Sequence, residues 1–75
     1  MESSLDEMNI GQSGMITQIT GGHGQRRHMR SMGLREGKNI KIITKQPVGG
    51  PIIVEMDGNQ IAIGRGMAMR VLVDA

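Results

Sequence analysis

The 75-residue sequence contains no cysteine and no phenylalanine, tyrosine or tryptophan. Without cysteine it can form neither disulfides nor thiolate metal sites, so a domain this small depends on packing alone, as suits a reducing cytoplasm. Without aromatic rings, its core must be filled by ten Ile, four Val, three Leu and some of the eight Met. The excess of β-branched residues favours strands, because these side chains pack well on a pleated surface and lose rotamer freedom in a helix. A chain of this length supports one compact domain over residues 1–75, since so short a polypeptide buries only about 60% of its unfolded surface. Long apolar runs are also missing, and Met-Glu-Ser-Ser-Leu-Asp-Glu at the start has no basic segment ahead of an apolar one. Neither a signal peptide nor a membrane span is expected.

Acidic residues are absent between Glu7 and Glu36, while Arg26, Arg27, Arg30 and Arg35 all fall in that interval. The formal charge of +2 therefore hides a basic patch on a nearly balanced body.

Residues 3–8 suit either one helical turn or an extended lead-in. After Gly11 and Gly14, Met15–Thr20 reads as a first strand, in which a bulge near Thr17 and Gln18 would bring Ile16 and Ile19 to one face. Gly21-Gly22-His23-Gly24 is a flexible break, and straight-chain residues from Gln25 to Met32 suit a short helix. Gly33 sits where a left-handed residue should end it, with Leu34 packing back on Met29. At about 100° per residue, Met29 and Met32 share one face, with Arg26, Arg27 and Arg30 opposite. Lys38–Lys45 alternates as a second strand. Gln46–Pro51 is a constrained loop, because its two prolines lack an amide donor. Strands over Ile52–Asp57 and Gln60–Ile63 are joined at Asp57-Gly58-Asn59 by strong hairpin chemistry. Gly64–Ala68 is a short crossover, and Met69, Val71 and Val73 face inward on a fifth strand. About five short antiparallel strands, with one short helix between the first two, predict an all-β sheet that curls and closes into a small barrel.

These landmarks, in order, resemble the FeoA family over nearly the whole chain. They are Leu5; the Gly11 and Gly14 turn; Ile19-Thr20-Gly21-Gly22; and Arg26-Arg27-His28-Met29-Arg30-Ser31-Met32-Gly33-Leu34. The series continues with Pro47-Val48-Gly49-Gly50-Pro51, Gly58, Ile61-Ala62-Ile63 and Ala68. Glu36-Gly37 stands where the family usually has Pro-Gly. The resemblance implies an SH3-like barrel in the bacterial cytosol, acting beside the ferrous-iron permease FeoB, whose cytosolic region binds guanine nucleotide. On that reading the chain is a non-enzymatic accessory protein, peripheral to the membrane only through its partner. The resemblance implies a stand-alone version of the barrel that also forms the C-terminal domain of iron-dependent repressors, and it leaves a homo-oligomer open.

Two stretches are candidates for partner contact. The arginines Arg26, Arg27, Arg30 and Arg35 could dock an acidic surface, a phosphate or lipid headgroups, although charged faces on short helices are often merely solvated. The loop Pro47, Val48, Gly49, Gly50 and Pro51 could be a rigid recognition surface, or simply a turn that sets strand register.

Other chemistry has weaker support. The glycines at 21–24 lack the lysine and hydroxyl of a phosphate loop. His23 in a loop and His28 on a helix flank do not share a face, so no metal site or cofactor is assigned, although a metal-responsive regulatory module is an alternative. Met29, Met32, Met56 and Met69 read as core filler, with Met67 near a surface. A basic nucleic-acid-binding barrel is a second alternative, opposed by the lack of aromatic rings for base stacking. No catalytic residue is assigned, because the four serines and the carboxylates show no catalytic arrangement.

Overall fold

The computed structural model describes residues 1–75. Six strands, β1 (Glu2–Ser4), β2 (Ser13–Ile19), β3 (Asn39–Lys45), β4 (Ile52–Met56), β5 (Asn59–Ile63) and β6 (Val71–Asp74), form one antiparallel sheet ordered β1-β6-β2-β3-β4-β5. Between β2 and β3 lies α1 (His23–Ser31), between β5 and β6 lies α2 (Arg65–Ala68), and a 3₁₀ turn over Leu5–Glu7 follows β1.

The shape follows from β2, which pairs through Ser13–Met15 with β3 and through Met15–Ile19 with β6. Its register slips between Ile16 and Gln18, where the sequence calls for a bulge, and both Ile16 and Ile19 are buried. A second slip lies between Ile42 and Thr44 of β3, inside a stretch that reads as plain alternation. Each slip adds local twist, which curls a short sheet around its own side chains. Fifteen apolar residues are buried and no polar residue is.

Two expectations need correction. The sheet curls but does not close, since β1 and β5 remain unpaired edges. Where they would have to meet, the chain has already left the extended form for the 3₁₀ turn after β1 and for α2 after β5. These two helical segments lie against each other, with Leu5 and Ala68 fully buried. Met69 is also not core; it is 61% exposed because it caps α2 and precedes the first paired residue of β6.

Turn chemistry matches the sequence closely. The amide of Gly33, at φ +94°, donates to the Arg30 carbonyl and that of Leu34 to the Met29 carbonyl, both at 3.0 Å. This is the paired bonding of a Schellman stop. Asp57 and Gly58 both have positive φ, as a two-residue hairpin of type I′ requires. The amine of Met1 donates to Asp74 Oδ1 at 2.8 Å, and that bond, with the carboxylate charge, holds the amine above its usual range.

Candidate functional site

The helix begins earlier than its glycines suggest. Gly22 is the N-cap, and the side chain of Gln25 reaches back to accept its amide at 3.2 Å, so His23 and Gly24 belong to the first turn. This corrects the placement of His23 in a loop. With His23 helical, residues 23, 26, 27 and 30 follow the i, i+3, i+4, i+7 spacing and fall within an arc of about 100°.

His23, Arg26, Arg27 and Arg30 accordingly line one surface recess of about 190 Å³ that no hydrophobic residue borders. Arg27 Nη2 donates to His23 Nε2 at 3.2 Å. Arg26 is not opposite Met29, as the two-face reading has it, but only about 60° from it. It is half-buried, and its Nε is shielded from water without a hydrogen-bond partner. Arg70 extends the charge beside the helix start, where its Nη1 would lie 3.4 Å from a Cβ built on Gly21.

No carboxylate balances this group. The two ion pairs in the chain join Met1 to Asp74 and Lys38 to Asp57, so none of the six arginines is paired. The first turn of α1 holds no acidic residue. A helix N-terminus carries partial positive charge of its own, so the recess is a concentrated positive surface. A second recess, lined by residues that include Ser13, Asn39, Lys41, Glu55 and Asp57, mixes both signs of charge.

The remaining candidates lie elsewhere. Arg35, exposed in the turn after α1, does not line the recess. Pro47–Pro51 joins β3 to β4 at the Lys45–Ile52 end of their ladder, whereas Gly33, just after α1, lies by Met56 at the other end. No hydrogen bond or ion pair connects the loop to the arginine face. The loop is instead held by Arg65, whose Nε donates to the Gly50 carbonyl at 2.8 Å and Nη2 to the Gln46 carbonyl at 3.0 Å. Nothing in the sequence marks Arg65 for this role, because its partners are carbonyl groups 15 and 19 residues away. No three His, Asp or Glu side chains come together where they could hold a metal ion, and no helix is long and apolar enough to cross a membrane.

Comparison with known proteins agrees with this architecture. Residues 3–75 match the FeoA domain family. The chain is 38% identical, over 64 residues covering 85% of it and 76% of the relative, to a protein of Methanocaldococcus jannaschii provisionally named Fe(2+) transport protein A. A crystal structure of an iron uptake regulatory protein, FeoA, superposes with a TM-score of 0.90 at 42% identity, over 97% of this chain and 96% of that one. A zinc-complexed FeoA of Stenotrophomonas maltophilia, described as a prokaryotic SH3 domain protein, gives a TM-score of 0.81 at 26% identity over 96% and 89% of the two chains.

Proposed function

Because the chain belongs to the FeoA domain family, we propose that it is a non-enzymatic accessory protein of ferrous-iron uptake. On this reading it works in the cytoplasm, where it binds the cytosolic region of a FeoB-type permease and modulates it by protein contact. The description of the Stenotrophomonas maltophilia protein raises a role as an activating factor in ferrous iron transport, which is of the same kind.

The observation that carries the reading is the unbalanced arginine face. Arg26, Arg27 and Arg30 with His23 present one sign of charge around a recess, and the fold spends no acid on them. Such a face steers association with an acidic surface and sets its register, more through on-rate and selectivity than through raw affinity. Arg35 and the Pro47–Pro51 loop are further contact candidates on separate parts of the surface.

The test is a titration of the isotope-labelled chain with the permease's cytosolic region, following amide shifts. Shifts should centre on α1, binding should weaken steeply as salt rises, and combined Arg26→Glu, Arg27→Glu and Arg30→Glu changes should abolish it. Binding that survives the triple reversal would remove the arginine face. A spectrum unmoved at saturating permease would reject the accessory role itself.

A further inference from the structure

The loop after β3 turns the chain back into β4 through two left-handed residues, and the first of them is β-branched. The Gly50 amide donates to the Pro47 carbonyl at 3.2 Å, closing a turn in which Val48 has φ +58° and Gly49 φ +73°. Both central residues are thus left-handed, a conformation cheap for Gly or Asn and strained for a β-branched side chain. Val48 is also completely exposed, at 103% of its reference area, so no packing within the chain compensates for that strain. Asn or Gly at position 48 would make the same hairpin turn without that strain, so the turn accounts for the backbone but not for an exposed valine, which is a pointer to work done outside the fold.

Everything around the tip is fixed. Gly50 has no room for a side chain, since a Cβ there would stand 2.7 Å from Gln46 Cβ. The Gln46 amide donates to the Pro51 carbonyl at 3.0 Å, and Arg65 holds the carbonyls of Gln46 and Gly50 from the side. The amides of Val48 and Gly49, by contrast, donate to nothing in the chain. A tip that combines one bare isopropyl group and two free donors on a rigid base loses little entropy on docking.

We infer that the Gln46–Pro51 loop is a preformed prong, whose Val48 enters an apolar socket on the partner with a hydrogen-bond acceptor at its rim, and that Arg65 is the positioning residue that aims it. This rests on the reading that the chain binds the permease's cytosolic region, and it adds the chemistry of a second contact apart from the arginine face.

The experiment is calorimetric titration of the permease's cytosolic region with the unaltered chain and with Val48→Asn, Arg65→Gln and the double variant, alongside their melting curves. Val48→Asn should bind at least about tenfold more weakly, having lost a buried aliphatic side chain, while melting roughly 5 °C higher because the strain is gone. Arg65→Gln should weaken binding when Val48 is present and cost nothing more in the Val48→Asn background, a dependence that a general loss of stability would not show. Undiminished binding by Val48→Asn, or an equal loss from Arg65→Gln in both backgrounds, overturns the prong. If the unaltered chain does not bind, the permease reading falls and the prong falls with it. Retained binding by Val48→Asn with abolished binding by the triple arginine reversal would sink the prong alone.

Discussion

Gly14 of β2 runs so close to the end of β6 that a Cβ built on it would stand 2.5 Å from the carbonyl oxygen of Asp74. Val73 Cγ1 and Ala75 Cα would lie 2.8 Å and 3.0 Å from the same atom. Backbone cannot move aside as a flexible side chain can, so any methyl group here must push the strands apart. Gly14→Ala is expected to destabilise the domain by about 1 to 3 kcal/mol, the usual range for overpacking. In urea unfolding the midpoint should fall with the slope unchanged. An unchanged midpoint would mean that β6 does not pass this close.

Gly33 has the opposite problem, conformational rather than steric. A Cβ there would meet only Met56 Cε at 3.4 Å, but φ is +94°. Gly33→Ala should therefore cost about 1 to 2 kcal/mol through left-handed strain alone. Gly33→Asn should recover part of that loss, because Asn tolerates this region better than Ala. Equal destabilisation by both variants would point to crowding instead.

The contrast between these two glycines shows what was legible in the sequence. Gly33 could be read directly, because a helix stop is local: Met29, Arg30, Gly33 and Leu34 supply both bonds within six residues. The bulge at Thr17 and the Asp57-Gly58 hairpin are local in the same sense. Gly14 could be seen only as a turn signal, since its real constraint comes from β6, some sixty residues away. The same separation hid β1, whose Glu2-Ser3-Ser4 carries no alternation and is a strand only because β6 lies beside it. Long-range geometry also explains the unclosed sheet and the role of Arg65. His23 is a different case. Its spacing to Arg26, Arg27 and Arg30 was visible, but the glycines on either side obscured the helix that makes the spacing meaningful.

The bond between the Met1 amine and Asp74 predicts a small pH dependence. The amine is raised above about 8 by the hydrogen bond and then by the charge of Asp74. A group whose folded value is raised contributes stability below its unfolded value and loses it as pH rises through the folded one. Thermal stability should thus decline from about pH 8 upward more steeply in the unaltered chain than in Asp74→Asn. Both partners are largely exposed, so the effect should shrink as salt is added. Parallel pH profiles for the two proteins would show that the bond is not held in solution.

The arginine face depends on a single core residue, because Met29 is the only buried residue of α1. Met32, the C-cap, packs against the core while remaining partly exposed, Arg26 is half-buried, and the other residues of the helix are exposed. An isolated helix of nine residues is too short to persist in water, so α1 exists only as far as Met29 anchors it. Met29→Ala should cost about 2 to 5 kcal/mol. That is a large share of the roughly 4 to 11 kcal/mol expected for a 75-residue domain. The loss should be local before it is global. Hydrogen exchange of the Met29→Ala protein at moderate temperature should show α1 amides losing protection while β3 and β4 keep theirs. Met32→Ala should do the same more weakly. Loss of the helix would scatter Arg26, Arg27 and Arg30 and dissolve the recess without removing a single positive charge. Permease binding that survives in Met29→Ala despite an unprotected α1 would mean that net charge alone suffices. Binding lost together with α1 protection would mean that the partner reads the arrangement of the arginines as well as their number.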